Sequence, residues 1–204
     1  MSSILKVDNL QTGAGATHSL SSLGVTGAGS VLQEIHGFCD GRTVSSITFP
    51  NVTAVQALTT THTDLTGTNI TYTPPAGTKT VVYTVTLAWH SDDYSGISHF
   101  KFLIDSTEVT LARRTISASY EANHQPTFRL VFDYPILIDS TLASDDIANG
   151  KLKSWTGAKT LKMQAREYSG SYEATIHKNN WWDGAGASGQ DAIGMPTISI
   201  KAIA

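Results

Sequence analysis

Hydrophobic positions along this chain recur mostly at every second residue rather than every third or fourth. The clearest case is VVYTVTLAW (81–89). Val81, Tyr83, Val85, Leu87 and Trp89 fall on one face, and Thr84, Thr86 and Ala88 on the other. Period-two alternation over this length predicts a strand with one buried face. HFKFLID (99–105) repeats the pattern with Phe100, Phe102 and Ile104 inward, and STEVTLARRTI follows it after a tight turn. FRLVFDYPILI (128–138) contributes Phe128, Leu130 and Phe132. A break is expected from Asp133 to Pro135, because proline has no N–H for the ladder. Upstream, VLQEIHGF (31–38), TVSSITFPNVTAV (43–55) and NITYT (69–73) read as strands. Pro74 and Pro75 stop the last of these, and Gly77 supplies turn freedom. The closing PTISIKAIA alternates Ile198 and Ile200 with Ser199 and Lys201, which predicts a final strand tied into a sheet.

TLKMQARE (160–167) and EATIHK (173–178) read as a hairpin about Ser169-Gly170. In that register Arg166 faces Glu173, Gln164 faces Thr175 and Lys162 faces His177. Ala165 then pairs with Ala174 and Met163 with Ile176 on the apolar face. No amphipathic helix stands out, although SDDIANGKLKSW (144–155) has room for one turn. Many short strands without βαβ alternation predict an all-β fold, an antiparallel β-sandwich of jelly-roll type. Residues 1–29 differ in kind. After ILKVDNL, which suits one short strand, comes TGAGATHSLSSLGVTGAGS, too poor in large apolar side chains to fold alone. The expected division is an extended N-terminal attachment arm or linker, 1–29, and a head domain, 30–204.

Composition sharpens this picture. Of the 204 residues, 27 are Thr, whose branched Cβ favours strands. The net charge of -3 and pI of about 6.1 provide no chain-wide basic field to recruit nucleic acid or anionic lipid. Cys39 stands alone, so no intrachain disulfide forms, and GFCDG suits a small buried or turn cysteine. No apolar run approaches the ~18 residues of a membrane helix. MSSILKVDNLQTG lacks the pattern of a secretory signal, so a soluble product of a reducing cytoplasm is expected.

Catalytic chemistry finds little foothold. GAGASG (184–189) matches a dinucleotide-binding spacing, but no strand-to-helix context surrounds it. There is no G-x-S-x-G elbow, H-x-x-x-H or C-x-x-C. WHSDDYSG (89–96) and ASDDIANG (143–150) carry carboxylates that suit calcium, yet neither has the EF-hand spacing, and Asp is common in turns. No cofactor and no metal are expected. Asn51-Val52-Thr53 and Asn69-Ile70-Thr71 fit the glycosylation sequon and carry little weight without a secretory signal.

The densest chemistry lies in REYSGSYEATIHKNNWWDG (166–184). Adjacent residues on an extended chain point to opposite sides, so one of Trp181 and Trp182 can enter the core while the other faces outward. Trp181, Trp182, His177 and Asp183 are the candidate interface or glycan contacts, since exposed aromatics stack on sugars and also anchor subunit interfaces. An enzymatic reading, a glycan depolymerase, would need paired carboxylates from among Asp92, Asp93, Asp133 and Asp183. Those residues qualify only as acids near turns, and the protein is expected not to be an enzyme.

Several segments carry a family resemblance. ILKVDNLQT, TGTNITYTPPAGTKTVVYTVTLAW, LKMQAREYSGSYEATIHKNNWWDG and MPTISIKAIA together resemble virion structural proteins of tailed phages, especially marine and cyanobacterial phages. The resemblance spans most of the chain as a pattern. It implies a homotrimeric jelly-roll head, similar to tumour-necrosis-factor or C1q-type domains, behind an N-terminal attachment segment. It further implies a virion location after synthesis in the host cytoplasm, as a fibre, knob or decoration protein. Other virion proteins of capsid, neck or tail would be held through the arm, with Ile4, Leu5, Val7 and Leu10 as candidate attachment residues. Host surface polysaccharide is a further expected partner. A carbohydrate-binding module using the Trp181-Trp182 loop is the alternative.

Overall fold

The computed structural model describes residues 9–11, 17–19, 28–92, 96–118, 126–179 and 192–204. The chain begins with β1 (Asn9–Gln11) and β2 (Thr17–Ser19), which pair antiparallel. The head opens with β3 (Val31–Phe38), followed by β4 (Thr43–Val44), β5 (Ile47–Thr48), β6 (Gln56–Ala57), β7 (Thr63–Asp64) and β8 (Ile70–Tyr72). Four long strands come next: β9 (Thr80–Ser91), β10 (Ile97–Ile104), β11 (Thr107–Ser117) and β12 (Thr127–Ile138). A 3-10 turn, Ile147–Asn149, precedes β13 (Lys151–Leu152). The remainder is β14 (Lys159–Glu167), β15 (Ala174–Ile176), β16 (Lys178–Asn179), β17 (Ala192–Ile193) and β18 (Thr197–Ile203). The fold is an all-β sandwich of antiparallel sheets, as the alternation predicts.

In one sheet β9 is central. β12 covers one of its edges along the full length, and β13 extends β12 in parallel. The other edge of β9 is shared. β18, backed by β3, takes Thr80 to Thr86, while β15, backed by β6, takes Trp89 to Ser91. The second sheet runs β11–β10–β14, and the free edge of β14 is shared in the same way by β8 and β7. The inward faces are those of the alternation: Val81, Tyr83, Val85, Leu87 and Trp89 from one sheet meet Phe100, Phe102, Ile104, Leu161, Met163 and Ala165 from the other. Phe102 stacks on Tyr134 at 4.3 Å between ring centroids and on Tyr83 at 5.5 Å, joining the two sheets. The Trp89 indole N–H donates to Ser98 Oγ across the sandwich at 2.8 Å, so a buried donor is satisfied.

Three expectations are corrected. β14 and β15 do not form a hairpin: β14 belongs to the β10 sheet and β15 to the β9 sheet. The paired apolar residues do face a common core, but from opposite walls, because Ser169 to Tyr172 carries the chain across the sandwich. Period-two patterning fixes which face is buried and leaves the partner strand open. Pro135 does not break β12. Leu137, two residues on, sends its N–H outward to Gly150 O, so position 135 also points away from β9 and no ladder bond is lost there. Finally, 43–55 is not one strand. Ser45 (φ 48°) and Ser46 (φ 65°) turn it back as β4 and β5, with the two positive φ angles of a mirror-image hairpin turn.

Between β7 and β8 the chain dips into the interior as the turn Leu65-Thr66-Gly67-Thr68. Leu65 N–H donates to Met163 O (2.9 Å), and Thr68 Oγ accepts from Met163 N–H (3.1 Å). Tyr83 Oη donates to Thr68 O from the opposite sheet. The Cys39 thiol donates to Gly67 O at 3.1 Å, and burial first, then Asp40, pushes its pKa up to about 12. Gly67 has φ +76°, and a Cβ there would lie 2.6 Å from Val52 Cγ2 and 2.8 Å from Pro196 Cγ. Gly67→Ala therefore combines a strained backbone with a clash against a rigid ring. A loss of about 2–4 kcal/mol is expected, read as a fall of roughly 5–15 °C in thermal midpoint. Gly170→Ala, whose Cβ meets nothing within 4 Å, is the matched control and should leave the midpoint unchanged.

Candidate functional site

The sandwich has two chemically different ends. At one, Gly29 N–H donates to Ala204 O, Ala204 N–H donates to Ser30 O, and β18 ends against Thr80 at the start of β9. At the other, β9 ends beside Thr127 and Ala174, and Ile97 pairs with Ser117. Twelve residues of β9 separate the two, about 36 Å. Residues 1–29 join the first end. The residues that border 93–95, 119–125 and 180–191 gather at the second: Ser91 donates to Pro126 O, Ala118 to Gly96 O, and Lys178–Asn179 pairs with Ala192–Ile193.

The candidate residues named from sequence divide accordingly. Trp181, Trp182 and Asp183 lie outside the described residues, as do Asp93, the GAGASG stretch, Ile4, Leu5 and Val7; Leu10 sits in β1, paired with His18. His177 is corrected from a surface contact to an interior group. It is fully buried, holds φ +65° at the kink between β15 and β16, and donates from Nε2 to Thr66 O at 2.9 Å. Its Nδ1 has no partner among the described residues, and burial lowers its pKa. Asp92 accepts from Lys178 Nζ (2.6 Å) and from Thr175 Oγ. Asp133 accepts from Thr84 Oγ at 2.6 Å. Eight residues of strand, about 26 Å, separate the Thr84 position from Asp92, so these two acids do not make a glycosidase pair. Among the described residues no group of three or more His, Cys, Asp or Glu side chains is placed to hold a metal, and no helix is long and apolar enough to cross a membrane.

A different site appears on the outer face of the β10 sheet. His99 and Lys101 project from β10, Arg113 and Thr115 from β11, Arg166 from β14, and His62 precedes β7. With Arg114 they line an open cleft of about 330 Å3. Register assembles it: His99 pairs with both Thr115 and Arg166. The charges are poorly balanced. Glu108 answers both Lys101 (3.2 Å) and Arg113 (2.5 Å). Among the described residues, Arg114 donates only to the carbonyls of Leu111 and Arg113, and Arg166 reaches only the Thr60 and Glu167 carbonyls at 3.4 Å. Among the described residues four cations thus face one carboxylate, and the Arg113 hydrogen bond holds that carboxylate below its ordinary pKa. His99 Nδ1 is engaged with Thr115 Oγ at 3.1 Å, but His99 Nε2 and His62 Nε2 are buried with no partner among the described residues. Burial lowers both imidazole pKa values, helped by Arg166 at His99 and by Lys101 and Arg166 at His62. The rings are therefore neutral at pH 7, in a setting that favours a negative ligand. Tyr168 flanks the cleft, its ring 6.3 Å from that of His99 and more than half exposed.

Nothing in the linear sequence marks this cleft, because its cations are spread over three strands, β10, β11 and β14. The weak signal is polar alternation: His99 with Lys101, and Lys162, Gln164 and Arg166 on the outward side of β14.

The buried histidine gives a test. A neutral native His177 binds fewer protons than its unfolded counterpart, so its contribution is present above the unfolded pKa near 6.5 and is lost as pH falls toward the lowered folded value. His62 and His99 act with the same sign. Unfolding free energy, measured by denaturant titration, should fall between pH 7 and pH 5. His177→Asn, which tolerates positive φ, should flatten that slope, whereas an unchanged slope would show that His177 does not couple folding to protons.

No protein-family model matches the chain, and no curated protein matches it closely.

Proposed function

We propose that the protein is a non-enzymatic virion structural protein of tailed-phage type, a trimeric fibre, knob or decoration head attached through residues 1–29. The observation that carries this reading is the polarity of the sandwich: the arm joins at Gly29 beside Ala204, about 36 Å from the end where the residues bordering 93–95, 119–125 and 180–191 gather. Such a molecule docks by one end and presents the other. The sequence resemblance of the opening segment, the central strand pair, the 161–184 stretch and the final strand supports the virion setting.

Self-association is supported by the outer face of the β9 sheet. Val131 and Leu137 alternate outward with buried Phe132, Tyr134 and Ile136, and are 60% and 40% exposed; Phe38 on β3 is 46% exposed. Three copies can cover apolar sheet surface that a single copy leaves in water. Multivalent display would then raise avidity without a tight single site. The carbohydrate-binding module is a second reading, supported by the pairing of Lys178–Asn179 with Ala192–Ile193, whose described residues flank the Trp181-Trp182 stretch at the end of the sandwich opposite Gly29.

Light scattering after gel filtration should give about three times 21.8 kDa, and a monomer would overturn the trimeric reading. Deleting residues 2–29 should leave the oligomer folded while abolishing its incorporation into particles. A truncated protein that still decorates particles would remove the arm from its assigned role.

A further inference from the structure

We propose that the cleft lined by His62, His99, Lys101, Arg113, Arg114 and Arg166 binds the carboxylate or sulfate groups of an acidic polysaccharide. The inference supplies a ligand class for the projecting head of the preceding section, but its chemistry stands without the virion setting. Three observations carry it. The cleft holds cations in excess: among the described residues Arg166 and Arg114 engage backbone carbonyls through Nη1 alone, and Glu108 is shared between Lys101 and Arg113. A guanidinium so placed has its planar fork free for a bidentate oxyanion. Two imidazole nitrogens of the cleft lining, His62 Nε2 and His99 Nε2, are buried and have no partner among the described residues. Tyr168, with Tyr172 edge-on at 5.7 Å, offers an exposed ring at the margin on which a sugar face can stack.

Position agrees with this. The His99–Arg166 pair lies one residue from the Ser98–Glu167 pair that ends the β10 ladder on β14, so the cleft sits toward the end remote from the arm. A polysaccharide fits better than nucleic acid. The chain carries net charge -3, and the four cations of the cleft form one local cluster rather than a phosphate-spaced track.

Ligand affinity should depend on protons. His62 faces Lys101, Arg166, His99 and the carboxylate of Glu108, and His99 faces Arg166. A bound carboxylate or sulfate adds the negative charge that lets these rings take up protons, so binding strengthens as pH falls from 7 toward 5.5.

The test uses full-length protein against immobilised polygalacturonate and dextran sulfate, with neutral dextran and duplex DNA as comparators. Expected is binding to one or both acidic polysaccharides, none to neutral dextran, and weaker binding to DNA. Arg166→Gln combined with Lys101→Gln should weaken binding by about tenfold or more, with the thermal midpoint unchanged. His62→Gln combined with His99→Gln should retain binding at pH 7 and remove its rise at lower pH. The proposal is overturned if folded wild type binds neither acidic polysaccharide. It is equally overturned if both double variants bind like wild type, or if DNA competes as tightly as the polysaccharides. Particle incorporation, scored on the same variants, separates the two readings: loss of polysaccharide binding with normal incorporation marks the cleft, and the converse marks the arm.

Discussion

The head depends on a single buried turn being fastened from every side. Leu65 to Thr68 sits where the edge of β14 is left open between β7 and β8, and it supplies Met163 with both of its missing backbone partners. Tyr83 reaches it from the opposite sheet, Cys39 from the strand-end beside Pro196, and His177 from the kink between β15 and β16. A polar backbone segment in an apolar interior is tolerable only when its donors and acceptors are met, because each unmet group costs about 1–3 kcal/mol. Here the partners come from regions far apart in the chain, so the turn acts as a clasp that holds both walls, the Cys39 segment and the base of the 178–193 pair in one arrangement.

That clasp also shows why the architecture was legible in the sequence only in part. Alternation is a one-dimensional signal, and it located the long strands and their inward faces: Val81 to Trp89 and Phe100 to Ile104 stand where their spacing places them. Partner choice is a tertiary property. Met163 and Ile176 each belong to the core, yet their alternation fits a hairpin as well as a crossover, and nothing local decides between them. Pro135 shows the reverse case, a local rule overruled by orientation, since a proline whose missing N–H points off the ladder does no harm. Ser45-Ser46 carries little of the turn signal that Asn-Gly would, so alternation alone does not separate β4 from β5.

The site was less legible than the fold. His177 sits in the chemically richest stretch of the chain, and that density suggested an outward role; the richness is instead partly internal, an imidazole fixing a buried carbonyl. The cationic cleft has the opposite character. Its members look scattered along the chain and become a site only once β7, β10, β11 and β14 lie side by side. Residue spacing within one strand can indicate an outward row, but the concentration of charge is created by register between strands.

Cys39 follows from the same clasp in a different way. Its thiol is fully buried, held on the Gly67 carbonyl and kept protonated by its surroundings, so thiolate is scarce and reagent access requires the clasp to part. As the sole sulfhydryl in the sequence, it makes the protein its own gauge of breathing. The pace at which a small alkylating probe captures it in native buffer reports how often the two walls separate, without any label having to be introduced.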